Sequence, residues 1–229
     1  MPSSPLKLIS SMATRAVLRE LAAQFQSSSA QPVITEAAGG VDVAKRVRSG
    51  ESMDLVVLAS NVIDKLIVEG KVLAGRVDLV KSGVAIAVRA EAPKPDITTE
   101  EAVKRAVTDA KTLSYSTGPS GVYLEKMFER WGVLEQLRSR IVVPPPGVPV
   151  GSLVANGTVE LGFQQLSELM NLPGIEVIGP LPPAIQTLTI FSGGICASCH
   201  QPEAARALLN YMASPATLSV KQQHGMEAA

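Results

Sequence analysis

Aromatic residues make up only 3% of this 229-residue chain, which holds a single Trp. Grooves that read nucleic-acid bases or sugars stack them on aromatic rings, so both classes of partner are disfavoured. An excess of one charge is missing too, because 21 Lys and Arg offset 21 Asp and Glu. No long-range basic field would draw DNA or a membrane surface, and no nucleic-acid partner is expected. No apolar run reaches the roughly 18 residues of a spanning helix, so membrane insertion is not expected. With 2 His in the whole chain, a Ser-His-Asp hydrolase has little to build on. Neither a Lys-bearing phosphate loop nor a dinucleotide fingerprint occurs, which argues against nucleotide binding.

Cysteine is scarce as well. Cys196 and Cys199 cannot make a disulfide framework, and their closeness suits a bridge or a reduced pair equally. Cys196-Ala197-Ser198-Cys199-His200 spells the c-type haem attachment pattern. The sequence brings neither an axial ligand nor an apolar pocket with it, so the stretch reads as a loop. A metal held by Cys196, Cys199, His200 and the distant His224 lacks a second pair at ligand spacing. No cofactor and no metal are therefore expected. Met1-Pro2-Ser3-Ser4-Pro5 leads into the first apolar run at Leu6 without a signal-peptide apolar region. A cytoplasmic protein and an exported one whose signal has been removed both remain open.

What is present is a globular composition, 46% hydrophobic and 18% charged. Leu6 to Ser11 reads as a buried strand. Val17, Leu18, Leu21, Ala22 and Phe25 then recur at helical spacing over Ala13 to Phe25. Pro32 to Glu36 and Asp54 to Ala59 read as strands, each followed by a short helix, over Val41–Val47 and Val62–Val68. This βαβα alternation predicts a parallel sheet with helices on both faces. Val77 to Ala90 is a β-rich stretch broken at Ser82-Gly83, suited to a segment that leaves one sheet and enters another. Thr98-Thr99-Glu100-Glu101 has capping-box spacing and should open a helix.

A second alternating unit follows. Its expected strands are Leu113–Ser116, Ile141–Val143 and Val159–Phe163. Its expected helices are Gly121–Trp131, Val148–Ala155 and Gln165–Asn171. A strand over Ile185–Phe191 and two helices opened by Pro202 and Pro215 close the chain. Tyr123, Phe128 and Trp131 sit at helical spacings and read as core. Lys45, Arg46 and Arg48 read as a solvated basic face. The expected domains are 1–83 with 186–229, and 84–185.

Four junctions carry the functional signal: Ser10-Ser11-Met12-Ala13-Thr14, Ala38-Gly39-Gly40-Val41-Asp42, Ser116-Thr117-Gly118-Pro119-Ser120-Gly121 and Pro146-Gly147-Val148-Pro149-Val150-Gly151. At each, an apolar run stops at small residues and a helical pattern begins. Helix N-termini offer unpartnered N–H groups and a dipole that favours anions, and small residues let a ligand approach. Two lobes joined by two crossing segments would put these elbows on one shared cleft, at the carboxyl ends of the strands. The plainer reading makes Ser10, Ser11 and Thr14 helix caps and Gly39-Gly40 a tight turn.

The chain resembles the molybdate-binding family of type II periplasmic binding proteins. The likeness lies in Leu8 to Ala16, Glu51 to Ala59, Gly118 to Tyr123, Val159 to Phe163, Pro202 to Ala205 and Ser214 to Ala216. It implies an α/β, two-lobed type II fold, each lobe a mainly parallel sheet flanked by helices, and capture of an oxyanion by hydroxyls and amides. By position, Ser11 resembles a hydroxyl donor, and Ala59 and Ser120 resemble backbone donors. Two departures count against molybdate. Gly39-Gly40 stands where a serine-rich turn would be, and Gln164-Gln165 stands where a tyrosine would close over the ligand. A larger organic carboxylate is therefore expected, with Ser10, Met12, Arg15, Gly40, Val41, Ser82, Thr117, Gly121, Pro149, Gln164 and Gln165 also in the site.

An aconitate isomerase built on a similar chain is the alternative the resemblance implies, interconverting trans- and cis-aconitate by an allylic proton shift. It would need cations, for which Arg15, Lys81 and Arg89 are candidates by location. It would also need a base, and no His, Asp or Glu falls clearly on an elbow. Glu36 and Asp42 flank the second elbow but read as helix-end charges. A passive binding protein would be periplasmic and would partner an ABC transporter permease. A fragment of a transcription regulator is a weaker third reading, since no helix-turn-helix precedes the first strand.

Overall fold

The computed structural model describes residues 4–145 and 147–229. Met1-Pro2-Ser3 of the N-terminal stretch and Pro146 of the fourth junction lie outside the described residues. The chain divides into two compact units, residues 1–81 with 189–229, and residues 82–188. It passes between them twice, once inside strand β4 (Val77–Arg89) and once at the start of strand β8 (Leu188–Ile195).

The first unit begins with β1 (Leu6–Ser11), helix α1 (Arg15–Ser29), β2 (Val33–Ala38), α2 (Gly40–Arg48), β3 (Leu55–Ala59) and α3 (Ser60–Val68). β1 pairs in parallel with both β2 and β3, and β8 adds antiparallel to β3. Successive strand side chains face opposite ways, and both faces are covered. Leu6, Leu8, Leu55 and Val57 pack with α1 and the closing helices α9 (Pro202–Ala213) and α10 (Leu218–Gln223). Ile9, Val56 and Leu58 pack with α2 and α3 on the other side. The α1 residues read from their spacing, Val17, Leu18, Leu21, Ala22 and Phe25, are its buried stripe. Val17, Leu18, Leu21 and Phe25 each contribute about 1.5–3 kcal/mol on leaving water, and Ala22 less. A two-residue strand, β9 (Glu227–Ala228), pairs with the first half of β4.

The second unit holds α4 (Glu100–Asp109), β5 (Leu113–Tyr115), α5 (Pro119–Arg130), α6 (Leu134–Leu137), α7 (Val150–Ala155), β6 (Leu161–Gln165), α8 (Leu166–Leu169) and β7 (Ile175–Pro180). β5 and β6 are parallel, while the second half of β4 runs antiparallel to both β6 and β7. Phe128 of α5 is fully buried and meets Phe163 edge-on, with ring centroids 6.2 Å apart. Tyr123 donates its hydroxyl to the Ile185 carbonyl, and Trp131 donates its indole N–H to Glu100.

Several expectations need correction. Ser82-Gly83 does not break the β-rich stretch, which is one continuous strand. Ile141–Val143 forms no strand; Ile141 makes an isolated bridge to Leu113. The cap of α4 is Thr99, whose hydroxyl accepts from the Ala102 N–H, while Thr98 turns back to Asp96. β8 starts at Leu188 because Ile185 is held in a short 3-10 turn behind Pro183. The last helical pattern of the second unit closes after four residues, as α8.

Candidate functional site

In the first unit the carboxyl ends of three neighbouring parallel strands share one edge of the sheet. Ser11 lies opposite Ala38, and Ser10 opposite Val57, two residues before Ala59. Each strand turns at once into helix. Ser11 is extended and leads into a 3-10 turn over Met12–Thr14, then α1. Gly39 and Ala59 take similar torsions and lead directly into α2 and α3. Three helix N-termini therefore present unpaired amides along one edge.

None of the three helix starts carries a side-chain cap. The capping reading of Ser10, Ser11 and Thr14 is thus overturned. Ser10 Oγ and Thr14 Oγ1 both donate to the Ser11 carbonyl, at 3.2 Å each. Ser11 Oγ is buried and has no hydrogen-bond partner. Gly40 lies against it, since a Cβ there would sit 3.8 Å from the Ser11 Cβ and clear of any clash. Met12 is half-buried and Val41 exposed. Arg15 is exposed at the first position of α1, in a turn that holds no acidic residue. A cation at the positive end of a helix dipole is unfavourable by itself and is relieved by a bound anion.

Other charged candidates of this unit are already engaged. Arg46 bridges Glu36 and Glu51, and its hydrogen bond holds the Glu36 carboxyl below the usual carboxylate range. Arg48 pairs with Glu69, so the basic cluster is largely ion-paired. Lys81 lies 3.3 Å from Glu227. Asp42 leans over Gly39, with Oδ2 3.2 Å from where a Cβ would stand. Cys196 is buried in the α2–α3 core and Cys199 is half-buried; they are unbridged. Burial, first of all, pushes their thiols up to about 12 and about 11. Among the described residues, no three His, Cys, Asp or Glu side chains gather into a metal site. A groove lined by Leu73, Ile195, Pro202, Arg206 and Asn210 contains none of the elbow residues.

In the second unit the parallel pair β5 and β6 again ends side by side, with Tyr115 opposite Phe163. Ser116 and Gln164 follow next along these two strands. Gly118 caps α5 through its backbone and Pro119 opens the helix. Ser120 is buried, its Oγ 2.9 Å from Ser116 Oγ, and Thr117 is exposed. Gly121 is required by packing: a Cβ would stand 1.6 Å from the Ser116 carbonyl oxygen. Ser82 is buried and its Oγ has no partner. The Pro149 junction opens α7, only six residues long, and the Gly151 amide is already directed at Gln164 Oε1, at 3.4 Å. Arg89 lies at the far end of β4, opposite Ile175, whereas Gln165 is opposite Val84. Five residues at about 3.3 Å each put it roughly 17 Å along the strand from that elbow.

Gln164 and Gln165 are both buried, and Gln165 makes the turn into α8. Gln164 Nε2 donates to Glu168 Oε1 at 2.8 Å. Burial pushes the Glu168 carboxyl up to about 7, against the opposing pull of that hydrogen bond. The residue as a whole is half-buried. Glu168 is an elbow carboxylate that reading the sequence missed. The usable signal was its spacing of four from Gln164, which puts a donor and a carboxylate within reach after a strand end.

Strand ends that feed helix N-termini in both units, on a chain that crosses between units twice, define a two-lobe type II solute-binding fold. The chain belongs to the bacterial extracellular solute-binding protein family, whose profile matches residues 6–227. It is 35% identical to an aconitate isomerase from a Pseudomonas species over 235 residues, covering 99% of this chain and 88% of that protein. The periplasmic molybdate-binding protein of Azotobacter vinelandii shares the fold, with a TM-score of 0.79 at 21% identity over 96% of this chain and 98% of that one. So does the sulfate-binding protein of Mycobacterium tuberculosis H37Rv, with a TM-score of 0.78 at 16% identity over 98% and 86%. No helix among the described residues is long and apolar enough to cross a membrane.

Proposed function

We propose that this protein takes a small organic tricarboxylate and isomerises it, with aconitate as the substrate. The observation that carries the reading is the end-to-end 35% identity to an aconitate isomerase. Aligned by sequence and not by structure, the molybdate-binding protein of Azotobacter vinelandii reaches 24% over 92% of this chain. The elbows support it. The first unit offers backbone amides, one unpartnered hydroxyl at Ser11 and the guanidinium of Arg15. Gly39-Gly40 leaves room beside Ser11 that a side chain would fill. In the second unit Ser116, Ser120, Gln164 and Gln165 supply groups that both donate and accept, which suits carboxylates. Ser10, Met12, Val41, Ala59, Ser82, Thr117 and Gly121 would line or shape the same elbows. The reaction relocates one proton along an allylic system and needs no redox partner. A periplasmic location is part of the proposal, in keeping with an extracellular solute-binding family.

The test is a proton NMR time course of trans-aconitate with a catalytic amount of protein. Formation of cis-aconitate above a protein-free control is expected, and its absence would overturn the isomerase reading. The family itself favours a second reading, passive capture of a carboxylate for delivery to an ABC transporter permease. In that case calorimetry should show tight binding of a tricarboxylate with no deuterium entering it from heavy water.

A further inference from the structure

We infer that Glu168 is the group that moves the proton in this isomerisation, with Gln164 as its positioning residue. The inference rests on the aconitate reading above. Glu168 lies within one turn of the β6 strand end, inside the second unit. Gln164 holds it from one side at 2.8 Å while its own Oε1 faces the Gly151 amide, so the carboxyl is fixed relative to α7 and β6. The neighbouring Ser167 Oγ is buried and has no hydrogen-bond partner.

The charged groups on the surrounding elements are few. β6 and α7 carry none, and Glu168 is the lone charge of α8. The part of β4 within this unit carries only Arg89, at its far end. Glu176 of β7 is tied to Lys94. Glu168 makes no ion pair with any described residue, and burial without a counter-charge sets its affinity for a proton. Its value of about 7 leaves both forms populated near neutrality, which a group that must take and return one proton needs. A structural carboxylate in such a place is normally ion-paired.

The step balances without a co-reactant. The Glu168 carboxylate removes a proton from the methylene carbon of trans-aconitate, and that C–H bond breaks. Its electron pair delocalises across the adjacent double bond to the former vinylic carbon. The Glu168 carboxyl then delivers the proton there, the double bond having moved by one position, and the enzyme returns to its starting charge. Cis or trans product follows from the rotation of the arm when the new double bond is set.

Wild type and Glu168→Gln are compared by NMR conversion of trans-aconitate and by calorimetric binding of the same compound. The expected result is binding within about threefold of wild type and turnover lowered by about 100-fold or more. Unchanged turnover overturns the inference, and so does loss of binding in step with turnover. A wild type that binds trans-aconitate and leaves it unconverted overturns the inference together with the reading beneath it, a failure visible in the wild-type arm alone. In the wild type, kcat/KM should rise with pH through a midpoint near 7. Gln164→Leu removes the donor that favours the ionised carboxyl, so that midpoint should move upward; an unmoved midpoint overturns the positioning role.

Discussion

Replacing Glu168 by Gln should stabilise the folded protein at neutral and alkaline pH. The ordinary carboxyl value of 4.5 becomes about 7 in the fold, mainly through burial. The folded chain therefore holds this proton more tightly than the unfolded chain does. Below about pH 4.5 both states are protonated and the group imposes no penalty. As pH rises toward 7 the unfolded state gives up the proton first, so stability falls. Above 7 both states are ionised and the whole penalty stands. At 1.36 kcal/mol per pH unit, the difference amounts to on the order of 3 kcal/mol. Solvent screening at this half-buried residue trims this to about 1–3 kcal/mol. Gln has nearly the same shape, can still meet Gln164 and never ionises. Urea unfolding of both proteins at pH 5 and pH 8 reads the effect. The variant's advantage should grow between the two pH values by about 1–3 kcal/mol. A constant difference, or a wild type that is the more stable at pH 8, would show Glu168 to be a compensated structural carboxylate and refute the reasoning.

Ser11→Ala should leave stability unchanged or raise it by about 1 kcal/mol, because it removes a buried hydroxyl with no partner. The same variant should weaken tricarboxylate binding by roughly tenfold in calorimetry, a combination that a structural serine would not give. Thr99→Ala removes the one side-chain cap seen at α4 and should cost about 1 kcal/mol in thermal or urea unfolding. Gly121→Ala drives a Cβ against the Ser116 carbonyl oxygen. It should cost about 1–3 kcal/mol and displace the α5 elbow, seen as lost binding in whatever protein still folds.

The parts of the fold that were legible are those where local pattern and tertiary packing agree. The α1 stripe from Val17 to Phe25 could be read because its spacing and its burial coincide. The elbows at Ser11, Gly39 and Ser120 could be read because an apolar run that stops at small residues before a helix has few other meanings. Where the pattern is ambiguous, tertiary structure decided. Ile141–Val143 is apolar enough for a strand but meets only Leu113, through one bridge. Ser82-Gly83 punctuates the sequence without interrupting β4, because both halves of that strand have partners. Two threonines compete for one cap, and Asp96 decides between them by binding Thr98. Glu168 was illegible for a deeper reason. Leu166-Ser167-Glu168-Leu169 falls within the helix expected over Gln165–Asn171, and the spacing of four from Gln164 shows that the two can meet without showing that burial will perturb the carboxyl.

That burial also bears on the choice between capture and chemistry. A site meant only to hold an anion gains from amides, hydroxyls and cations, which the first unit supplies at Ser11, Gly40, Ala59 and Arg15. A carboxyl placed one turn from Gln164 adds nothing to that purpose, since it offers an anion no donor once ionised and its burial destabilises the fold. Its one structural service is to accept the buried Gln164 amide, which a neutral Gln could do as well. Leu169 supplies apolar contact of α8 with β4, and among the described residues Glu168 forms no ion pair. A residue that costs stability and titrates near neutrality has no evident use in a passive receptor. It is what an enzyme requires if the anion it captures must lose and regain a proton at carbon. Under the proposed reaction the backbone elbows would supply the affinity, and one carboxyl at the β6–α8 turn would supply the chemistry.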